Sequence, residues 1–494
     1  MKAGGLVSGL DTQGLIEKLM QVERQPSVVM QSRKKTYEYR KDLWKEINTS
    51  LLSLKTKLNS ISTGADLIKK KAVSSDDTIF TASAGTSASN STYNINIATL
   101  AKTQRVVGTS QGTAALNLNG NFTINDGTYT STINVVATDT LSTIMSKINS
   151  AKDTVDPTKS LQVSASIVNN TLVLEHKKTG AANSMTLTDA VNTPGSTGTD
   201  EILESLGILT DVKAIATEQQ AATDAQFTVN GISVTRSTNT GLTDVINGVT
   251  LTLKKEGAGA TGTLTVQNDF DASLANIKDW VNQYNSTIDL VGTRLSEDTV
   301  KNAASDTLKS KGLLKGDQVL SGIKNQLRQN TSNPVVGLAV YDRLSKIGIT
   351  STADDYGKSG RLVIDETKLK EALEANPDEV VKLFTNNTDL NSDGTITTNE
   401  KGIAVRLTEQ LDYLTNTTSK TIGGTVVKAG VIQGTLDSLD KVINDYTKKL
   451  ASFDDHLKQV EDNLWKQFNA MEKALSTMQN QASALAAQID SSNK

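Results

Sequence analysis

The chain has 494 residues, enough for roughly two to four domains, with 37% hydrophobic and only 4% aromatic residues. Its 51 basic and 54 acidic residues leave a net charge of −3, and no long basic run offers the concentrated cationic surface that nucleic-acid phosphates require. With no cysteine, disulfides, thiolate metal sites and cysteine nucleophiles are excluded. The first twenty residues, "MKAGGLVSGLDTQGLIEKLM", have neither a compact apolar core nor a small-residue cleavage site, and no apolar run approaches the roughly 18 residues of a membrane span. The expectation is a soluble chain, without membrane insertion, that leaves the cytosol only by a route sparing its N-terminus.

Read from the N-terminus, Leu15, Leu19, Val22 and Val29 begin an apolar stripe, which Leu43, Ile47, Leu51, Leu54, Leu58 and Ile61 resume. Between them lies the polar, basic "QSRKKTYEYRKD", with Pro26 just ahead. Proline lacks a backbone donor and clashes with the preceding turn, so the helix is expected to kink or restart there. From Ala72 to about Val266 the sequence becomes rich in Thr, Ser, Asn and Gly with short alternating runs, the pattern of small β-domains. Two stretches resemble each other, "NFTINDGTYTSTINVVATDTLSTIMSKIN" and "QFTVNGISVTRSTNTGLTDVINGV". Each has an F-T-[I/V]-N strand, a Thr-rich strand and an L-[S/T] element, which reads as duplication within β-domains rather than a solenoid.

After Asp271 the 3.6-residue spacing of helices returns in "ASLANIKDWVNQYNSTIDLVGTRL" and "GDQVLSGIKNQLRQNT". A strand–hairpin–strand segment follows, then two short helices, with Asp365 as N-cap of the first and Pro377 in the first turn of the second. Next comes "DLNSDGTITTNE", which fits the twelve-residue calcium loop of an EF-hand. Asp389, Asn391 and Asp393 occupy positions 1, 3 and 5, Gly394 the sharp turn, Ile396 position 8, and Glu400 the bidentate position 12. Thr395 would add its backbone carbonyl and Thr397 a bridging water, completing a hard-oxygen cage suited to a structural Ca2+. The alternative is a solvated Asp/Asn/Gly turn, and Gly402 weakens the helix expected to leave the loop.

The strongest periodicity is C-terminal. It runs through Leu436, Leu439, Ile443, Tyr446, Leu450, Phe453, Leu457, Val460 and Leu464, then Phe468, Met471, Leu475, Met478, Ala482, Leu485 and Ile489. Spacings alternate three and four, with one extra four across Val460, Leu464 and Phe468, which describes a coiled-coil seam with a local shift of supercoil. A helix roughly 80 Å long is too long to bury its stripe on a compact domain, so pairing with the N-terminal stripe is preferred over each stripe covering its own domain.

The expected fold class is therefore α+β and multidomain, with terminal helices pairing as a coiled coil. Residues 1–70 with 430–494 would form the leg and 271–429 a helical or mixed body. Residues 71–112 with 215–270 would form one antiparallel β-domain, and 113–214 a second inserted one. No catalytic set stands out. His176 and His456 read as partly solvated, and the adjacent pairs Asp354/Asp355 and Asp454/Asp455 do not face each other across a bond as glycosidase carboxylates must. A plain coiled-coil cytoskeletal protein would explain the termini and not the β insertion.

At this point the residues resemble the bacterial flagellar filament cap family, also called hook-associated protein 2. "SGLDTQGLIEKLMQVERQP" is similar to its N-terminal signature, and the F-T-[I/V]-N units to its flagellin-type inserted repeats. "LSKIGITSTADDYGKSGRLVIDETKLKEAL", "PDEVVKLF", "GIAVRL", "GVIQGTLDSLDKVINDYTKKL" and "WKQFNAMEKALSTMQNQASALAAQI" resemble its C-terminal region in order. The resemblance implies export through the flagellar type III channel without a cleaved signal, and an extracellular place at the filament tip. It implies a homo-oligomeric ring, commonly of five subunits, that promotes folding and insertion of flagellin. Hook–filament junction protein and a cognate export chaperone for the C-terminal segment are implied partners, and no enzymatic step is. The seam residues would contact flagellin and neighbouring subunits. The alternative is a surface adhesin holding host glycans or mucin through the segment Ala72–Val266. The family does not imply the calcium loop, since its members often have a shorter connection there.

Overall fold

The computed structural model describes residues 11–189, 201–353, 357–390, 394–418, 420–422, 425–427 and 429–492. Two compact units emerge: one joins the stretch ending at Leu67 to the stretch beginning at Phe270, and the other is Ile68–Asp269. The chain opens with α1 (Thr12–Glu23), capped by Asp11, whose side chain accepts from Gly14 N at 2.8 Å. Arg24, with φ −77° and ψ −13°, alone separates it from α2 (Gln25–Asn59), so the helix restarts just ahead of Pro26, which sits in the first turn where its missing N–H costs no bond. Ser27 ties the junction by donating both its N–H (3.0 Å) and its hydroxyl (2.8 Å) to the Arg24 carbonyl. The short α3 (Gly64–Leu67) ends this first pass.

The second unit carries β1 (Lys70–Ser74), β2 (Phe80–Ala84), β3 (Ser91–Thr99), β4 (Arg105–Ser110), β5 (Gly120–Asn125) and β6 (Thr130–Val135), then α4 (Leu141–Asn149). There follow β7 (Val163–Val168), β8 (Thr171–His176), β9 (Thr186–Asp189), α5 (Ile202–Ser205), β10 (Glu218–Gln220), β11 (Ala225–Val229), β12 (Ile232–Arg236), β13 (Leu242–Ile246), β14 (Val249–Leu253) and β15 (Thr261–Asn268). All named pairings are antiparallel, and the unit holds two separate hydrophobic cores. One lies under β1-β15-β3-β11-β12 and β13-β14-β2, around Phe80, Ile95, Ile97, Phe227 and Leu264. The other joins β10-β4-β8-β7, β6-β5-β9 and α4, around Val106, Phe122, Ile144, Leu172 and Leu174.

The expected boundaries between residues 112 and 113 and between 214 and 215 are corrected by this pairing. Strand β4 bonds to β8 and β10, and Val106 is buried in the second core, so that module begins before residue 112 and ends after 214. The passage from one core to the other, "KTQ" ahead of β4, has no Gly, Pro, Asn or Asp, and Gly108 lies inside the strand, so composition does not mark the crossing. The related F-T-[I/V]-N units do place their phenylalanines alike: Phe122 and Phe227 are buried in hairpin strands. They diverge afterwards, because the first L-[S/T] element forms α4 and the second forms β13.

Beyond Phe270 the chain forms α6 (Phe270–Ser296), α7 (Asp306–Ser310), α8 (Gln318–Ser332), the two-stranded β16 (Ile349–Ser351) and β17 (Leu362–Ile364), α9 (Glu366–Ala375) and α10 (Pro377–Thr385). It ends with α11 (Ile403–Thr415), the hairpin of β18 (Lys420–Ile422) and β19 (Thr425–Val427), and α12 (Val431–Ser492), 62 residues and about 93 Å long. Asp365 caps α9 by accepting from Lys368 N at 3.1 Å, and Pro377 sits in the first turn of α10. Leg and body, expected as separate domains, share one core. Helix α2 packs on α12, α6 and α11, and buries Trp44, Ile47, Leu51, Leu54 and Leu58. In the same core Trp280 meets Phe384 edge-on, ring centroids 5.7 Å apart. The architecture is thus α+β: the two helical ends of the chain join in one unit, and an antiparallel β unit is inserted between them in the sequence. Among the described residues no helix is long and apolar enough to cross a membrane.

Candidate functional site

The long seam forms where the two chain ends meet. Along α2 and α12, Tyr37 stacks on Tyr446, the Lys449 ammonium lies 5.6 Å from the Tyr446 ring centre, and Lys41 pairs with Asp440. Of the seam predicted on α12, Leu439 and Leu457 are buried, and Leu436, Ile443, Tyr446, Leu450, Phe453, Val460, Leu464, Phe468 and Leu475 are half-buried. Further along, Met471, Met478, Leu485 and Ile489 are 38%, 64%, 60% and 57% exposed, an apolar stripe left open among the described residues.

The N-terminal part of the seam lies one residue away from the expected set. Leu15, Leu19 and Val22 point outward, 40%, 45% and 68% exposed, whereas Ile16 and Met20 are buried against Leu457 and Trp465. One residue turns a helix by about 100°, and α1 is apolar on both adjoining faces, so its pattern alone does not choose which face meets α12. Trp465 was missed for a related reason. The extra step across Val460, Leu464 and Phe468 rotates the seam, and the bulkier neighbour of Leu464 takes the buried place. Beside this cluster runs an open groove of about 960 Å3, lined by Gln13, Ile16, Met20, Arg24, Glu461 and Trp465 among others. Its chemistry suits side-chain packing between helices.

The calcium-type loop sits between α10 and α11. Asn391 and Asp393 lie outside the described residues. Of the remaining positions, the Asp389 carboxylate accepts from Gly394 N at 2.8 Å, and Gly394 takes φ +87°. Glu400 is 1% exposed, with one oxygen accepting from Leu390 N (3.3 Å) and the other from Thr397 N and Thr397 Oγ1 (both 2.8 Å). Thr395 is exposed. Gly402 does not weaken α11, because that helix starts after it. A Cβ there would meet the Phe384 carbonyl at 2.4 Å, so glycine lets the loop pass the end of α10.

Arg406 and His176 are buried more deeply than their sequence context suggests. Arg406, 2% exposed, donates Nη1 to Pro334 O (3.2 Å) and Nη2 to Asn330 O (3.1 Å) and Asn333 O (2.9 Å), and so closes the C-terminus of α8. Burial pushes its pKa down to about 10. His176, expected to be partly solvated, is 1% exposed and bonded at both ring nitrogens, while His456 is exposed beside the Phe453 ring. Among the described residues no group of three or more His, Asp or Glu side chains is placed to hold a metal ion.

Comparison with known proteins gives a consistent picture. Residues 8–104 match the model of the flagellar hook-associated protein 2 N-terminus, and residues 222–480 that of its C-terminus. The chain is similar to flagellar hook-associated protein 2 of Halalkalibacterium halodurans, 28% identical over 534 residues that cover 98% of both chains. The Escherichia coli K12 protein of that name is 27% identical over 502 residues, 99% of this chain and 98% of its own. The crystal structure of the D1–D2–D3 domains of the flagellar cap protein FliD from Escherichia coli superposes with a TM-score of 0.56 at 27% identity, covering 81% of this chain and 99% of the other.

Proposed function

Because the chain belongs to the flagellar hook-associated protein 2 family, the flagellar cap proteins, we propose that it caps the distal end of the filament and promotes the folding and insertion of exported flagellin. It works there as a homo-oligomeric ring, five subunits being the family expectation, outside the cell and exported without a cleaved signal. One observation carries this reading. The outer stripe of α1 (Leu15, Leu19, Val22) and the distal stripe of α12 (Met471, Met478, Leu485, Ile489) keep heptad spacing while lying exposed in a single chain. Stripes of that kind are interaction surfaces: neighbouring subunits and flagellin cover them in the assembly, the export chaperone before it, and hook–filament junction protein lies at the base on which the cap first sits. The role is binding and folding assistance rather than bond chemistry. Removing the protein from its own bacterium should stop filament growth and release flagellin monomers into the medium, with recovery when the chain is returned. Filaments of normal length in its absence would reject the reading.

We also propose that the 389–400 loop binds a structural Ca2+ through Asp389, Asn391, Asp393, Thr395, Thr397 and Glu400. Support comes from the first-position carboxylate held by the glycine N–H, the left-handed Gly394, and the inward Glu400. Such an ion would brace the connection between α10 and α11.

A further inference from the structure

Two buried aspartates tie the turn between β5 and β6 to the loop that follows α4. Asp126, in the turn and 1% exposed, accepts from Thr128 N (2.9 Å) and Tyr129 N (2.8 Å) on one oxygen. Its other oxygen accepts from Gln162 N, across in the loop, at 2.6 Å. Asp153, in the loop and 8% exposed, accepts from Val155 N (3.1 Å) and Asp156 N (2.8 Å) on one oxygen. Its other oxygen accepts from Thr130 N, the first residue of β6, at 2.8 Å. Each carboxylate therefore orders its own segment and reaches across to the other. Thr154 N adds a parallel bond to Thr130 O at 2.8 Å, and His176 Nε2 donates to Asp126 O at 3.2 Å from beneath.

We propose that this reciprocal clasp is an acid-opened latch: protonation of Asp153 frees the loop 151–162 from the β5–β6 turn while the helical unit stays folded. The chemistry lies in the acceptor count. Three N–H donors converge on the two oxygens of Asp153. A carboxylic acid must place its own proton on one of them, so a bond is lost and a donor is left facing a hydroxyl. No cation offsets this, since among the described residues no ion pair involves Asp153. The titratable and charged groups around the clasp are Asp126 and Tyr129 in the turn, Lys152, Asp156 and Lys159 on the loop, His176 on β8 and Lys177 just beyond it; the Lys152 ammonium donates to Ser160 Oγ (2.7 Å) and that of Lys177 to Leu161 O (3.1 Å), neither to Asp153. Lys159 contributes its carbonyl, which accepts from Asp153 N at 3.1 Å. The Asp156 and Thr130 amides hold the Asp153 carboxyl below the ordinary 3.8. A folded-state pKa below the unfolded one stabilises above the unfolded value, and that stability is lost as pH falls through the folded value. The latch is thus closed at neutral pH and opens below 3.8.

The chain has no cysteine, so Val155→Cys, at a position 90% exposed in the loop, gives a single dye site on the full-length protein. Trp44, Trp280 and Trp465 all belong to the helical unit and report on it independently. On acidification below 3.8 the dye anisotropy should fall by roughly half while tryptophan emission is unchanged, and the same labelled chain with Asp153→Asn should show the low anisotropy already at neutral pH. Anisotropy that holds until the tryptophans also shift, or an Asp153→Asn chain that keeps the parent transition, would overturn the proposal.

Discussion

Tyr37 of α2 stacks on Tyr446 of α12 with ring centroids 5.8 Å apart and planes inclined by 30°, joining residues from opposite ends of the chain. A stacked pair of this geometry contributes about 1 kcal/mol beyond its buried area. Tyr446→Ala should therefore lower the unfolding free energy of the helical unit by about 1–2 kcal/mol. Urea titration followed by the fluorescence of Trp44 and Trp280, which sit in the same core, measures it, and an unchanged midpoint would mean that the stack does not help hold the ends together.

The exposed stripes should behave in the opposite way. Replacing Leu15, Leu19 and Val22 together by serine touches side chains that are 40% or more exposed, so each change should shift monomer stability by no more than about 0.5 kcal/mol. The parent chain is predicted to form rings in electron micrographs of the concentrated protein, and the triple variant to form none. Rings of unaltered number and size would move the subunit contacts elsewhere.

How much of this was readable beforehand differed from element to element. The stripe of α12 is legible because three-and-four spacing, with one extra four, is sustained from Leu436 to Ile489 in a helix without a proline. On α1 the two adjoining apolar faces left the choice between Leu15 with Leu19 and Ile16 with Met20 to the partner, which a sequence does not display. The module to which β4 belongs is not legible in the sequence, because its pairing with β8 is non-local and its own residues carry no mark of it. The aspartates of the inserted unit were hardest to read. Asp126 and Asp153 resemble any other turn residue in an Asp- and Asn-rich stretch, and their burial follows from loops that close over them.

Arg406 offers a test of the helical core. Arg406→Met keeps much of the volume but strands the carbonyls of Asn330, Asn333 and Pro334 without donors, at about 1–3 kcal/mol for each buried one left unpaired. The expected loss is about 2–4 kcal/mol in chemical denaturation, with Arg406→Lys falling between methionine and the parent. A neutral effect of methionine would show that water or a shifted backbone satisfies those carbonyls.

Calorimetric titration with calcium should give a saturable heat and a rise in melting temperature, both absent in Glu400→Ala. Glu400 also accepts directly from Leu390 N and Thr397 N, so the variant is expected to melt lower even in chelator. The informative quantity is the calcium-dependent increment. An equal increment in parent and variant, or none in either, would make the loop a plain turn.

If function lies in the paired ends, removal of Leu450–Lys494 should abolish it. The deletion takes away Leu457 and Trp465, the cover of Ile16 and Met20, together with the exposed distal stripe, and leaves Ile68–Asp269 intact. In a bacterium lacking the full chain, the truncated protein is predicted to support no filament growth, while hydrogen exchange finds the strands of Ile68–Asp269 as protected as in the parent. Filaments of normal length grown on the truncated protein would contradict it.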